Sequence, residues 1–116
     1  MIKFYFNGAP NPNKVALFLE ESGLPFEAIP VDTRKGEQFD PAYTAVNPNG
    51  KVPSIVDGDT TVFDSNAILL YLAEKTGKFL PNDIRGRFET LEWLFWQMAG
   101  LGPMAGQNGH FRLYAP

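Results

Sequence analysis

GKVPSIVDGDTTVFDSNAI, residues 50–68, packs two β-rich runs, a tight-turn pair and the mouth of a helix into one short stretch. The runs meet at Asp57-Gly58, a dipeptide that favours two-residue hairpins, so the spacing predicts two antiparallel neighbours. Pro53 stands at the start of the first run, where a strand tolerates a residue without an N–H. The second run ends on Asp64-Ser65, two good N-cap residues, and the pattern turns helical at once. Downstream, SNAILLYLAEKTG is apolar around most of its circumference, which predicts a helix set deep in the fold and ended by Lys75 and Gly77.

Upstream, IKFYF (residues 2–6) reads as a first strand, closed by NGAPNP. Asn11-Pro12 then resembles an N-cap followed by proline at the first helical position, with NKVALFLEES as the helix and Gly23 as its stop. PFEAIPVD predicts a second strand, confined to a sheet edge by Pro30. The polar segment between it and residue 50 leaves room for one short helix around 39–45. The order is therefore β-α-β-(α)-β-β-α over residues 1–77, an α/β unit with a mixed four-stranded sheet. Residues 78–84 read as a linker. RGRFETLEWLFWQMAG restarts a helix with Phe88, Leu91, Phe95 and Met98 at helical spacing, and residues 85–116 predict that helix plus an irregular, Gly-rich tail.

With 116 residues, the chain suits one compact domain and little more. A net charge of -3 argues against nucleic acid as the main partner. No apolar run approaches the ~18–20 residues of a membrane span, and MIKFYFNGAP lacks a signal-peptide pattern, which predicts a cytoplasmic protein. Cysteine is absent. Disulfides, thiolate metal sites and a catalytic protein thiol are thereby excluded, and any thiol chemistry must use a ligand's sulfur.

Three places invite chemistry, and each also has a purely structural reading. At Asp64-Ser65 a helix N-terminus attracts a carboxylate, Ser65 adds a hydroxyl donor and Asp64 accepts from an ammonium, which together suit the amino-acid end of a ligand; Ser65 alternatively just caps its own helix. At Val52-Pro53 a cis bond would offer the Val52 backbone to an extended peptide; a trans proline at a strand start is equally admissible. At Asn11 a helix dipole and a side-chain N–H would favour a bound thiolate; the bland alternative is again a cap. Tyr5 reads as packing with a polar tip, and His110, the sole histidine, as a solvated loop residue.

APNPNKVALFLEE, KGEQF, NPNGKVPSIVDG and DSNAILLYLAEKTG, in this order, resemble the N-terminal thioredoxin-fold domain of a cytosolic glutathione transferase, in the nu-class and disulfide-bond-reductase-like branch. ETLEWLFWQMAGLGPMAGQN is similar to the first helix of that family's all-α second domain. The resemblance implies a thioredoxin-like βαβαββα fold with glutathione as a substrate and no metal. It implies a cis Pro53, Val52 pairing its backbone with the cysteinyl unit, Asp64 and Ser65 holding the γ-glutamyl end, and Gln38 and Lys51 near the ligand. It places Asn11 beside the sulfur, where the thiolate would attack a small electrophile or a disulfide.

Two departures qualify the resemblance. The branch often carries threonine where this chain has Ala9, which weakens the case for a reductase. The family also continues through several helices beyond the point matching Pro116, and these supply most of the electrophile pocket and an arginine that contacts glutathione. The expectation is a glutathione transferase, with a disulfide reductase or a truncated, non-catalytic binding module as rivals. The aromatic face at 88–98 then predicts a homodimer.

Overall fold

The structure is a computed structural model and describes residues 1–114. The chain forms two compact units, Met1–Lys78 and a second from Phe79 onward. In the first unit the elements are β1 (Ile2–Phe6), α1 (Pro10–Ser22), β2 (Phe26–Pro30), a 3-10 turn at Glu37–Phe39, α2 (Pro41–Thr44), β3 (Ser54–Asp57), β4 (Thr60–Phe63) and α3 (Ser65–Thr76). This is the βαβαββα order expected from the sequence.

The sheet runs β2-β1-β3-β4, with β1 parallel to β2 and antiparallel to β3, and β3 antiparallel to β4. Pro30 lies on the β2 edge opposite Phe6, where its missing N–H breaks no ladder. Alternation along β1 buries Ile2 and Phe4 and leaves Lys3 exposed. Those two residues join Val15 and Leu19 of α1, Ile55 of β3, and Ile68 and Leu72 of α3 in one core. Each fully buried aliphatic side chain there contributes about 1.5–3 kcal/mol relative to exposure. α3 is the deep helix that its apolar circumference predicts, with Ile68 and Leu72 fully buried.

Two local expectations shift, and the choice of cap for α3 between Asp64 and Ser65 is decided. The β3–β4 hairpin turns on Gly58-Asp59, because Asp57 pairs with Thr60; Gly58 supplies the φ of +63° the turn needs. α1 starts at Pro10 with Ala9 at the N-cap position, one X-Pro pair earlier than expected. The cause is Asn7, whose Oδ1 accepts the Ala9 N–H at 2.9 Å and turns the chain before Asn11 is reached. Asn11 is therefore a first-turn residue, not the cap. α3 is capped by Asp64, whose Oδ2 accepts from the Ala67 N–H at 3.1 Å, which relieves Ser65 of that task.

In the second unit α4 (Ile84–Trp96) is opened by Asp83, which accepts from the Gly86 N–H at 2.8 Å. The sequence predicts an irregular tail after α4, but the backbone stays helical through a π-type turn at Gln97–Leu101, α5 (Gly102–Gly109) and a π-type turn at His110–Tyr114. Pro103 sits directly after the π turn, at the start of α5. His110 is thus helical rather than in a loop. No helix among the described residues is long and apolar enough to cross a membrane.

Candidate functional site

A cavity of about 250 Å³ opens in the first unit and is lined by Asn11, Asn47, Asn49, Lys51, Val52, Pro53, Phe63, Asp64 and Ser65. It gathers the first turn of α1, the loop before β3 and the mouth of α3. Of the site residues expected from the sequence, Asn11, Lys51, Val52, Pro53, Asp64 and Ser65 line it and Gln38 does not. Gln38 belongs to the 3-10 turn at Glu37–Phe39; its Oε1 is buried and has no hydrogen-bond partner. Its backbone carbonyl lies 3.4 Å from where a Cβ on Gly50 would stand, so the Gln38 turn packs against the loop that leads into the cavity. Gly50 also has a φ of +64°, which favours glycine there.

The Val52–Pro53 peptide is cis. The carbonyl of the preceding Lys51 is held twice, by the Tyr43 hydroxyl and by Asn47 Nδ2 at 2.8 Å. Asn47 is 1% exposed, and its Oδ1 also accepts the Asn49 N–H at 2.9 Å. Tyr43 shares a further hydrogen bond of 2.8 Å with Ser54 Oγ. Burial holds the Tyr43 phenol above its ordinary pKa, against the opposing pull of its Ser54 and Asn47 hydrogen bonds, so it remains a donor at neutral pH. The backbone at Val52 is accordingly fixed from behind by two buried polar side chains.

At the α3 mouth, Asp64 takes φ 75°, ψ 123°, an unfavourable conformation for a non-glycine residue, costing of order 1–3 kcal/mol. That turn sets Ser65 as the first helical residue, 6% exposed and lining the cavity. At the α1 mouth the prolines matter more than the cap. Ala9 N–H is engaged by Asn7, Asn13 N–H reaches Ala9 O at 3.3 Å, and Pro10 and Pro12 have none. Helix geometry leaves the Asn11 N–H as the first-turn donor without an intrahelical acceptor. Asn11, which lines the cavity, thus carries a backbone N–H without an intrahelical acceptor beside its side-chain amide.

Asn47, Tyr43 and Lys14 escaped the sequence reading. Asn47 lies in NPNG, a motif visible beforehand, but its partner is a backbone carbonyl that no residue pattern reveals. Lys14 Nζ reaches Asn66 Oδ1 of α3 at 3.5 Å. A second cavity, about 520 Å³, opens beside Ala9 and is lined by Asn7, Gly8, Val31, Asp32 and Arg34 among others.

Residues 9–75, more than half of the chain, match the family model "Glutathione S-transferase, N-terminal domain". The chain belongs to the glutathione S-transferase family. It is 52% identical to the disulfide-bond oxidoreductase YfcG of Escherichia coli, across the whole of this chain and 57% of that protein. Among solved structures, a glutathione transferase family member from Pseudomonas fluorescens with two glutathione molecules bound superposes with a TM-score of 0.95 at 42% identity, over 98% of this chain and 53% of the other. A glutathione transferase from Pseudomonas putida, with one glutathione disulfide bound per subunit, superposes with a TM-score of 0.94 at 41% identity, over 98% and 52%. The chain thus spans about half the length of the transferase-family relatives it matches.

Proposed function

We propose that the cavity binds glutathione and holds its sulfur as a thiolate for attack on a second molecule. The observation that carries this reading is the convergence of two helix mouths and one braced loop on a single peptide-sized groove. The Val52 backbone pairs with the cysteinyl unit beside Pro53. Ser65 and its N–H receive the γ-glutamyl carboxylate, and Asp64 receives the ammonium. Lys51 contacts the remaining, glycine-side portion, and Gln38, in the turn packed against the loop that leads into the cavity, lies near it. Asn11 faces the sulfur. A free thiol has a pKa near 8.5, and ~1–2 kcal/mol of help from the α1 mouth lowers it by about one unit.

The thiolate forms a new bond to the acceptor while the leaving group departs with the electron pair. With a small electrophile the product is a thioether. With a disulfide, one sulfur joins glutathione and the other leaves as a thiolate; a second glutathione then releases glutathione disulfide. The disulfide reaction is favoured by the 52% identity to the E. coli oxidoreductase. Conjugation is favoured by Ala9, which brings no hydroxyl to the sulfur side. In this reading residues 1–77 are the glutathione-binding domain, 78–84 a linker and 85–116 the start of an all-α domain of a cytoplasmic homodimer. Trp93, 62% exposed, and Trp96, 52% exposed, support a partner for that helical face.

Calorimetric titration of glutathione, run beside a chloronitrobenzene conjugation assay and a disulfide-reduction assay, tests the proposal. Binding with either turnover supports it and selects the acceptor. Binding without turnover in both assays indicates a binding module. No binding at millimolar glutathione rejects the reading.

A further inference from the structure

α3 begins with a charge problem. Asp64 Oδ2 already accepts one donor of the helix N-terminus, the Ala67 N–H. A ligand carboxylate arriving on Ser65 therefore meets a helix end whose positive character is partly spent, next to a resident carboxylate. The ligand ammonium on Asp64 offsets one of these two negative charges, and a protein cation nearby would offset the other.

Lys51 lines the cavity at its Val52 end, but its side chain is exposed and its charge is screened by water. Lys14 is placed differently. It follows Asn11 by one helical turn on α1, is only partly exposed, and extends its Nζ to Asn66 Oδ1 at 3.5 Å. Asn66 is itself buried in the first turn of α3, directly after Ser65. Burial draws the Lys14 pKa below its ordinary value, and the nearby Asp64 charge opposes that shift. The ammonium thus stands against the α3 mouth in a partly desolvated position, where its field is less screened than that of a surface lysine.

We propose that Lys14 is a positioning residue which, acting through Asp64 and Asn66, makes the α3 mouth selective for a ligand that carries a free α-carboxylate beside its ammonium. The inference rests on the reading that glutathione binds in this groove. Lys14 supplies the balancing charge: Asp64 answers the ligand ammonium, and Lys14 offsets the ligand carboxylate held on Ser65.

The test compares glutathione with its γ-glutamyl α-amide, in which that carboxylate is neutral. Both are titrated calorimetrically into the full chain, as wild type, Lys14→Gln, Lys14→Met and Lys14→Arg, with thermal melting to follow folding. Lys14→Gln and Lys14→Met should weaken glutathione about five- to tenfold and change the amide less than twofold, while Lys14→Arg stays near wild type. A purely structural lysine would weaken both ligands alike, and an irrelevant one neither; each result overturns the inference while leaving glutathione binding intact. If wild type binds no glutathione, the proposed function falls and this inference falls with it. Should Lys14→Gln fail to fold, Lys14→Met gives the same ratio.

Discussion

Asn47 Nδ2 donates to the Lys51 carbonyl across 2.8 Å, so a fully buried amide fixes the backbone one residue before the cavity wall at Val52. Asn47→Ala leaves the Asn49 N–H without its side-chain acceptor and removes one of two donors from the Lys51 carbonyl. The expected cost is about 2–3 kcal/mol in urea denaturation. Glutathione affinity should fall as well, since Val52 loses its brace. Tyr43→Phe, which removes the other donor, should cost about 1–2 kcal/mol.

Ser65 and Asp64 divide two tasks that one residue often combines. Because Asp64 caps α3, Ser65→Ala should leave stability within about 1 kcal/mol of wild type while weakening glutathione about ten- to a hundredfold. Calorimetry and melting of the same sample separate the two effects. A loss of stability matching the loss of affinity would return Ser65 to a structural role.

Asn11 is exposed and caps nothing, so Asn11→Ala should be nearly neutral for folding. Its effect belongs to the sulfur. The reaction rate with either acceptor should drop about ten- to a hundredfold, and the thiolate-dependent limb of the pH–rate profile should move to higher pH. An unchanged profile would remove Asn11 from the chemistry.

Asp57 accepts hydrogen bonds from Lys75 Nζ and from Tyr71 OH at 2.6 Å, linking the β3–β4 hairpin to α3. The Lys75 and Tyr71 hydrogen bonds hold the Asp57 carboxyl below its ordinary pKa. A depressed carboxyl contributes stability that is present above its unfolded pKa and lost as pH falls through the folded one. The Asp57 hydrogen bond raises Lys75 and Tyr71, so their contribution is present at neutral pH and lost at strongly alkaline pH. Denaturation midpoints should therefore fall on both sides of neutrality. Asp57→Asn should flatten the acid limb of the curve, below the ordinary carboxylate range; an unaltered acid limb would contradict this.

What was legible in the sequence was what local pattern encodes. The hairpin and α3 were readable because strand propensity, a turn glycine and a capping aspartate coincide within residues 52–77. The Asn11 cap was misread because two X-Pro pairs compete, and Asn7 settles the competition through its own side chain. The helical course beyond Gln97 was hidden by Gly102, Pro103, Gly106 and Gly109, whose low propensities the backbone overrides. Asn47 and Lys14 were invisible as site residues, since each acts on a group brought near only by folding. Gln38 came from the resemblance; the structure leaves it outside the cavity wall with an unpaired oxygen.

The central claim is that Asn11, Val52 and Ser65 form one glutathione groove. Titration of glutathione into the isotopically labelled chain, followed by backbone amide NMR, tests it most directly. The account predicts that these three amides shift together along one binding curve, with a single dissociation constant. Silence at all three under millimolar glutathione, or shifts confined to other residues, would contradict it.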